Sequence, residues 1–256
     1  TTSISSGNIR QLHAWRDLTS TEYMAAGTYR KLYVYERDYT QHDITPLAKS
    51  GTLTSPFTTS NGDSIVTVAH TAHGRNAGDV VIYSGASAVG GLTLNGTFEV
   101  LTVTGANTYT IDASVNATSS ATGGGTVTYQ YEISIGADRG AYGLGYGIGG
   151  YGLLTYGDPR QSSIIFIEPR SWSFDHFGKI LLATFNGGSI YSFDPNSIPA
   201  WPRADRIADA PTDVRFMMVT EERFVLALCD GMRMDWCSQN DYTDWTPSTT
   251  NTANTR

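Results

Sequence analysis

The chain has 256 residues, a formal net charge of −7 and only 16% charged residues, against roughly 25% in an average globular domain. An acidic chain of this kind is a poor general binder of nucleic acid, which needs Lys and Arg to neutralise phosphates. No stretch approaches the roughly eighteen consecutive apolar residues of a membrane span, and no membrane partner is expected.

The hydrophobic share of 40% supports a real core. The Gly, Ser, Thr and Tyr that replace charge favour short strands and turns over long helices. The first residues, Thr1-Thr2, show no leader pattern; they read as a processed start or as an internal piece of a longer protein.

In chain order, Arg30–Arg37 (RKLYVYER) is the first strong strand, rich in aromatic and β-branched residues. SIVTVAH, DVVIYSG, TFEVLTV, TYTIDA and GTVTYQYEI follow between Ser64 and Ile133, separated by Gly, Asn and Asp turns. Beyond a Tyr/Gly-rich tract come SIIFIEP, KILLATF, GSIYSFDP, VRFMMVT, RFVLALC and MRMDWCS. The strands of the middle segment alternate apolar with Thr or Ser, as half-exposed strands do. KILLATF and RFVLALC are apolar on both faces, the pattern of strands covered on both sides, as in propeller blades. The best helical candidate is Pro202–Pro211 (PRADRIADAP), short and bounded by prolines.

One phrase recurs. Asp38-Tyr39-Thr40 leads to Ile44-Thr45-Pro46, and Asp241-Tyr242-Thr243 leads to Trp245-Thr246-Pro247. Each follows a glycine and a strand, and Gly187–Pro195 (GGSIYSFDP) is a shorter echo. Recurrence of one hairpin unit is the signature of a radial repeat. The reading is all-β: a β-propeller, or part of one, with an inserted small β-barrel. The expected division is 1–46 propeller, 47–135 barrel, 136–160 connecting loop and 161–256 propeller.

Candidate chemistry is sparse. His70 and His73 form an H-x-x-H that lacks further ligands in sequence and reads as a turn. Asp38, Asp43, Asp241 and Asp244 read as turn-shaping residues, because a catalytic pair is needed once and this arrangement occurs twice. No G-x-S-x-G, P-loop or dinucleotide-binding glycine pattern is present. No catalytic residue, metal or cofactor is therefore expected. Cys229 and Cys237 flank Asp230-Gly231, read as a two-residue hairpin turn that sets Cys229 opposite Met232 and Cys237 opposite Phe224. The sulfurs are then too far apart to bond, leaving two free thiols. Trp236 and Trp245 read as blade packing. The interaction candidates are Tyr142, Tyr146, Tyr151 and Tyr156 in the Tyr/Gly tract, together with Trp172. Such rings offer large amphipathic contact area with few rotatable bonds.

Four segments in this order resemble one family: LHAWRDLTSTEYMAAGTYRKLYVYERDYTQHDITP, the tract ending TYGDPR, RSWSFDHFGKILLATFNGGSIYSFDP, and ERFVLALCDGMRMDWCSQNDYTDWTPSTTNTA. The family is the tail-hub, or nozzle, proteins of short-tailed double-stranded DNA bacteriophages, also called packaged-DNA-stabilisation proteins. The middle segment is similar to small barrels that decorate phage tail proteins. The resemblance implies a propeller that assembles with itself as a ring, commonly six copies, below the portal and adaptor, around the DNA exit channel. Its implied partners are the adaptor and neighbouring tail proteins, tail fibres or spikes, and double-stranded DNA passing without sequence-specific contact. Its implied location is the tail of the virion, assembled in the bacterial cytoplasm. Family members carry propeller strands before LHAWR and blades after TNTA, so on that pattern a propeller does not close within this chain. The competing expectation is a carbohydrate-binding tail adhesin that presents Trp172, Trp201 and tyrosines on a β scaffold. A polysaccharide-degrading enzyme would need two converging carboxylates, which the sequence does not display.

Overall fold

The structure, a computed structural model, describes residues 7–136, 170–197 and 201–256. It is all-β. The chain forms two compact units, Thr1–Ile44 with Ile135–Arg256, and Thr45–Ser134. Among the described residues no helix is long and apolar enough to cross a membrane.

The first unit opens with a four-stranded antiparallel meander: β1 (Ile9–Arg16), β2 (Glu22–Thr28), β3 (Leu32–Glu36) and β4 (Gln41–Asp43). Asp17 accepts from the amides of Thr19 and Thr21 and shapes the β1–β2 turn. Trp15 stands opposite Tyr23, and Ala25 opposite Val34, so large and small side chains alternate on the face that the next sheet covers.

The second unit contains β5 (Leu47–Thr54), β6 (Phe57–Thr59), β7 (Ile65–Ala69), β8 (Val80–Ser84), β9 (Gly96–Gly105), β10 (Thr108–Asp112), β11 (Ala121–Gly123) and β12 (Thr126–Glu132). They form one sheet in the order β11-β6-β7-β10-β9-β8-β12-β5. It curls, nearly closed, around a core that includes Phe57, Val66, Val68, Tyr83, Tyr109, Ile111 and Tyr131. The period-2 pattern seen in sequence does this directly: in β7, Val66 and Val68 are buried and Thr67 is partly exposed.

Back in the first unit, β13 (Trp172–Phe177), β14 (Ile180–Phe185), β15 (Tyr191–Phe193) and β16 (Asp205–Arg206) form a second meander. β17 (Val214–Val219), β18 (Val225–Cys229), β19 (Met234–Trp236) and β20 (Asn254–Thr255) form a third. The first strands of successive sheets lie against one another, β1 with β13 and β13 with β17. Four-stranded antiparallel sheets stacked in this way are propeller blades. The three echoes of the repeated phrase come at equivalent places: each runs off the third strand of its blade, β3, β15 and β19, with Asp38, Asp194 and Asp241 beyond the strand's end. Between the second and third blades lies a core of Phe177, Leu182, Ile190, Met217, Val225, Ala227 and Trp245, among others.

Three expectations change. PRADRIADAP is not helical: its centre is β16, paired with Tyr191 and Ser192, because the fourth edge of the second blade takes any extended backbone. β14 is buried along its whole length, but β18 alternates, and Leu228 is 48% exposed; one face of the third blade has no sheet packed on it among the described residues. The turn after Cys229 has three residues, Asp230–Met232, with Gly231 and Met232 both at positive φ. The register therefore moves by one: Leu228 faces Met234, Leu226 faces Trp236, and the Cys229 amide bonds to Arg233. That register pairs Leu226 and Leu228 with the apolar residues of β19 on one face, and sets Ala227, on the buried face, opposite Asp235. Strand SIIFIEP lies outside the described residues.

Candidate functional site

The first strands of the blades are where a propeller's sheets converge on its axis. Their exposed positions are Ile9, Gln11, Leu12, Ala14 and Arg16 on β1, His176 on β13, and Arg215, Phe216 and Met218 on β17. The surface is mixed. Arg16 pairs with Glu22 of its own sheet, and Arg215 pairs with Asp230 at 3.0 Å. Both guanidinium groups are thus neutralised within the chain before any polyanion approaches.

At the seam of the first two blades three potential ligands meet. His13 Nε2 lies 3.2 Å from His176 Nδ1, and His176 Nδ1 lies 3.6 Å from an Asp175 carboxylate oxygen. One ligand atom from each of the three residues lies within 4.8 Å of the others. Asp175 is fixed from behind, since its other oxygen accepts the Val219 amide at 2.7 Å. Trp15 stacks beside His13 and donates its indole N–H to the Lys179 carbonyl. Burial first, then the neighbouring His176, lowers the pKa of His13. Sequence reading misses this cluster. His13 and His176 are 163 positions apart, and the dipeptide Asp175-His176 alone carries no spacing signal.

The structure places the sequence candidates as follows. Trp172 is buried, 3% exposed. Its indole donates to the Thr28 carbonyl, and its ring stacks on Phe174. Its surface is spent inside the chain, holding the second blade to the first, and is not open to a neighbour. Tyr142, Tyr146, Tyr151 and Tyr156 lie outside the described residues. Trp201 stacks on His42 at 3.7 Å and also on Phe193. Asp38 and Asp241 each accept the amide two residues on, Thr40 and Thr243, at 2.9 Å. Asp43 pairs with Lys31 and Arg203, and Asp244 accepts from Asn251. These are turn and ion-pair roles.

In the second unit, His70 Nδ1 meets the Tyr131 hydroxyl at 2.7 Å, and His73 bonds to the Gly105 carbonyl and the Arg75 amide. The two rings of the H-x-x-H are engaged separately. Cys229 and Cys237 are free and buried. Burial, then Asp235, pushes the Cys229 thiol up to about 11, and burial raises Cys237. Neither is poised as a thiolate nucleophile at neutral pH.

The first blade also carries a cleft of about 570 Å³, lined by Trp15, Arg16, Tyr23, Glu36, Arg37 and Tyr39 among others. Tyr39 stands at positive φ and is 85% exposed. Sequence reading assigned the Asp38-Tyr39-Thr40 turn to shape alone.

No protein-family model matches the chain, and no curated protein matches it. Among solved structures the chain is similar to the endosialidase of phage phi92, at 14% identity and a TM-score of 0.31, over 93% of this chain. The chain spans 37% of the length of that protein.

Proposed function

We infer that the chain is a structural component of a bacteriophage tail, a segment of the wall of a hub or nozzle ring. The ring surrounds the DNA exit channel below the portal and adaptor and helps to retain the packaged genome. One observation carries this reading: three consecutive four-stranded sheets, stacked first strand against first strand, each with an echo of the same phrase running off its third strand. Repetition at equivalent positions answers to shape, not to chemistry done once. Three of the four segments that resemble tail-hub proteins lie largely on these blades, and the tract ending TYGDPR lies outside the described residues. The internal pairing of Arg16 and Arg215 suits a channel face that does not grip phosphates, so that DNA slides past.

Electron microscopy of the particle containing this chain tests the reading. A ring coaxial with the DNA, built from copies of this chain, is the expected result. Copies found only on peripheral fibres, or a lumen lined by unpaired Lys and Arg, would overturn it.

The cleft beside Tyr39 favours a second reading, a carbohydrate-binding surface on the same scaffold. Aromatic faces with neighbouring charged groups are the chemistry that stacks and hydrogen-bonds sugars. Glycan-array binding that disappears in Tyr39→Ala supports it; an array with no bound glycan removes it.

A further inference from the structure

We propose that His13, Asp175 and His176 form a binding site for a divalent transition cation of the zinc class, joining the first blade to the second. The donor set is two imidazole nitrogens and one carboxylate oxygen. That combination suits Zn²⁺, Co²⁺ or Ni²⁺, whereas Mg²⁺ and Ca²⁺ take sites built from oxygen. The spacing suits it as well. A tetrahedral cation about 2.0–2.2 Å from each ligand holds the ligand atoms roughly 3.3–3.5 Å apart. The His13–His176 and His176–Asp175 separations are 3.2 and 3.6 Å. His13 Nε2 and His176 Nδ1 face one another as a hydrogen-bonded pair, in which one nitrogen carries the proton; a cation takes the place of that proton, and the adjacent Asp175 oxygen adds a third donor to that point.

The surroundings behave as outer-shell support. The Val219 amide holds one oxygen of Asp175 at 2.7 Å, and the His176 amide holds the other at 2.8 Å, fixing beside the His176 ring an oxygen that keeps a second lone pair for a cation. Trp15, anchored on Lys179, flanks the His13 ring. Such contacts orient ligands before metal arrives. His176 is exposed and Asp175 only partly buried, so a cation reaches the site from solvent, and a coordination position remains for water. His13 comes from β1, and Asp175 and His176 from β13. A bound cation therefore cross-links two sheets at their first strands. This inference does not depend on the tail reading.

The test uses the full 256-residue chain, free of any histidine tag and stripped with a chelator. Zn²⁺ and Co²⁺ are titrated separately, with calorimetry and Co²⁺ visible absorption as readouts, and melting is followed with and without Zn²⁺. The expected results are one cation per chain, a rise in melting temperature with Zn²⁺, and no such rise with Mg²⁺. His176→Gln lies at an exposed position and leaves the fold intact. It is expected to weaken Zn²⁺ binding by about 100-fold or more, beyond what loss of an outer-shell partner alone costs. Asp175→Asn is expected to weaken it by about tenfold or more, while His70→Gln leaves it unchanged. The proposal is overturned if wild type binds no Zn²⁺ or Co²⁺, if His176→Gln binds as tightly as wild type, or if Mg²⁺ raises the melting temperature equally.

Discussion

The indole nitrogen of Trp172 donates to the backbone carbonyl of Thr28 across 2.8 Å, between residues 144 positions apart. The bond ties the first strand of the second blade to the end of β2 in the first. Its ring lies where a side chain at Gly27 would be: a Cβ there would come within 2.3 Å of Trp172 Cδ1 and 2.7 Å of Phe174 Cζ. Gly27 is required for this close approach, not for an unusual backbone angle.

Gly27→Ala is therefore expected to destabilise the first unit by about 1–3 kcal/mol through overpacking. Trp172→Phe should cost about 1–3 kcal/mol by leaving the Thr28 carbonyl without this partner. Denaturant titration of each variant, and of the double variant, checks both. Because the residues touch, the two costs should not add. Two additive costs, or two neutral substitutions, would show that this seam does not hold the blades.

In the second unit, the hydroxyls of Tyr83, Tyr109 and Tyr131 form a buried chain that ends on His70. Tyr109 stands in the middle and serves both neighbours. Tyr109→Phe is expected to cost about 1–3 kcal/mol, more than Tyr83→Phe at the chain's end, because it takes from the buried Tyr83 hydroxyl its bond to Tyr109 and leaves Tyr131 with His70 alone. Hydrogen exchange at the amides of β7 and β10 reports this unit directly. Equal protection in both variants would count against a connected chain.

Burial, reinforced by Lys49, His73 and Arg75, lowers His70 from 6.5 to about 4. The folded state thus holds His70 neutral where the unfolded chain would bind a proton. Stability is full above about pH 6.5 and is lost as pH falls toward about 4, because the unfolded state then binds more protons. His70→Gln should flatten this part of the pH profile, measured as the exchange protection of β7 between those limits. A profile that keeps its slope in His70→Gln assigns the effect to carboxylates instead.

On the third blade, Phe216 faces Leu228 and Met218 faces Leu226 across β17 and β18. Phe216, Met218 and Leu228 are 52%, 45% and 48% exposed. Phe216→Lys together with Leu228→Glu should change stability by no more than about 0.5 kcal/mol per site. The same pair should reduce self-association in sedimentation, since it breaks up an exposed apolar patch. A large loss of stability would place these side chains in a packed core.

Much of the fold was legible because its signals are local. Alternation marks β7, β10 and β12, and an Asp two residues before Thr closes a turn on its own backbone, as at Asp38 and Asp241. The recurring phrase that runs off β3, β15 and β19 reflects one geometric demand met three times. Other features left no local trace. β2 reads Glu-Tyr-Met-Ala-Ala-Gly-Thr, and Gly27 in it has no room for a side chain because Trp172 and Phe174, far along the chain, lie over it. The turn at Asp230-Gly231 looked like a two-residue hairpin and is a three-residue one. Leu226 and Leu228 align with Trp236 and Met234, a register that the turn dipeptide by itself does not reveal.

By itself, the order of residues determined an all-β chain of short strands, with a repeated blade unit and turn-forming aspartates. Period-2 hydrophobicity and side-chain bonds to the backbone act over a few residues and need no distant partner. Only the tertiary structure decided which strands touch, that Trp172 lies in a seam, and that His13 meets Asp175 and His176. Those are encounters between positions more than a hundred residues apart, set by how one sheet packs on the next.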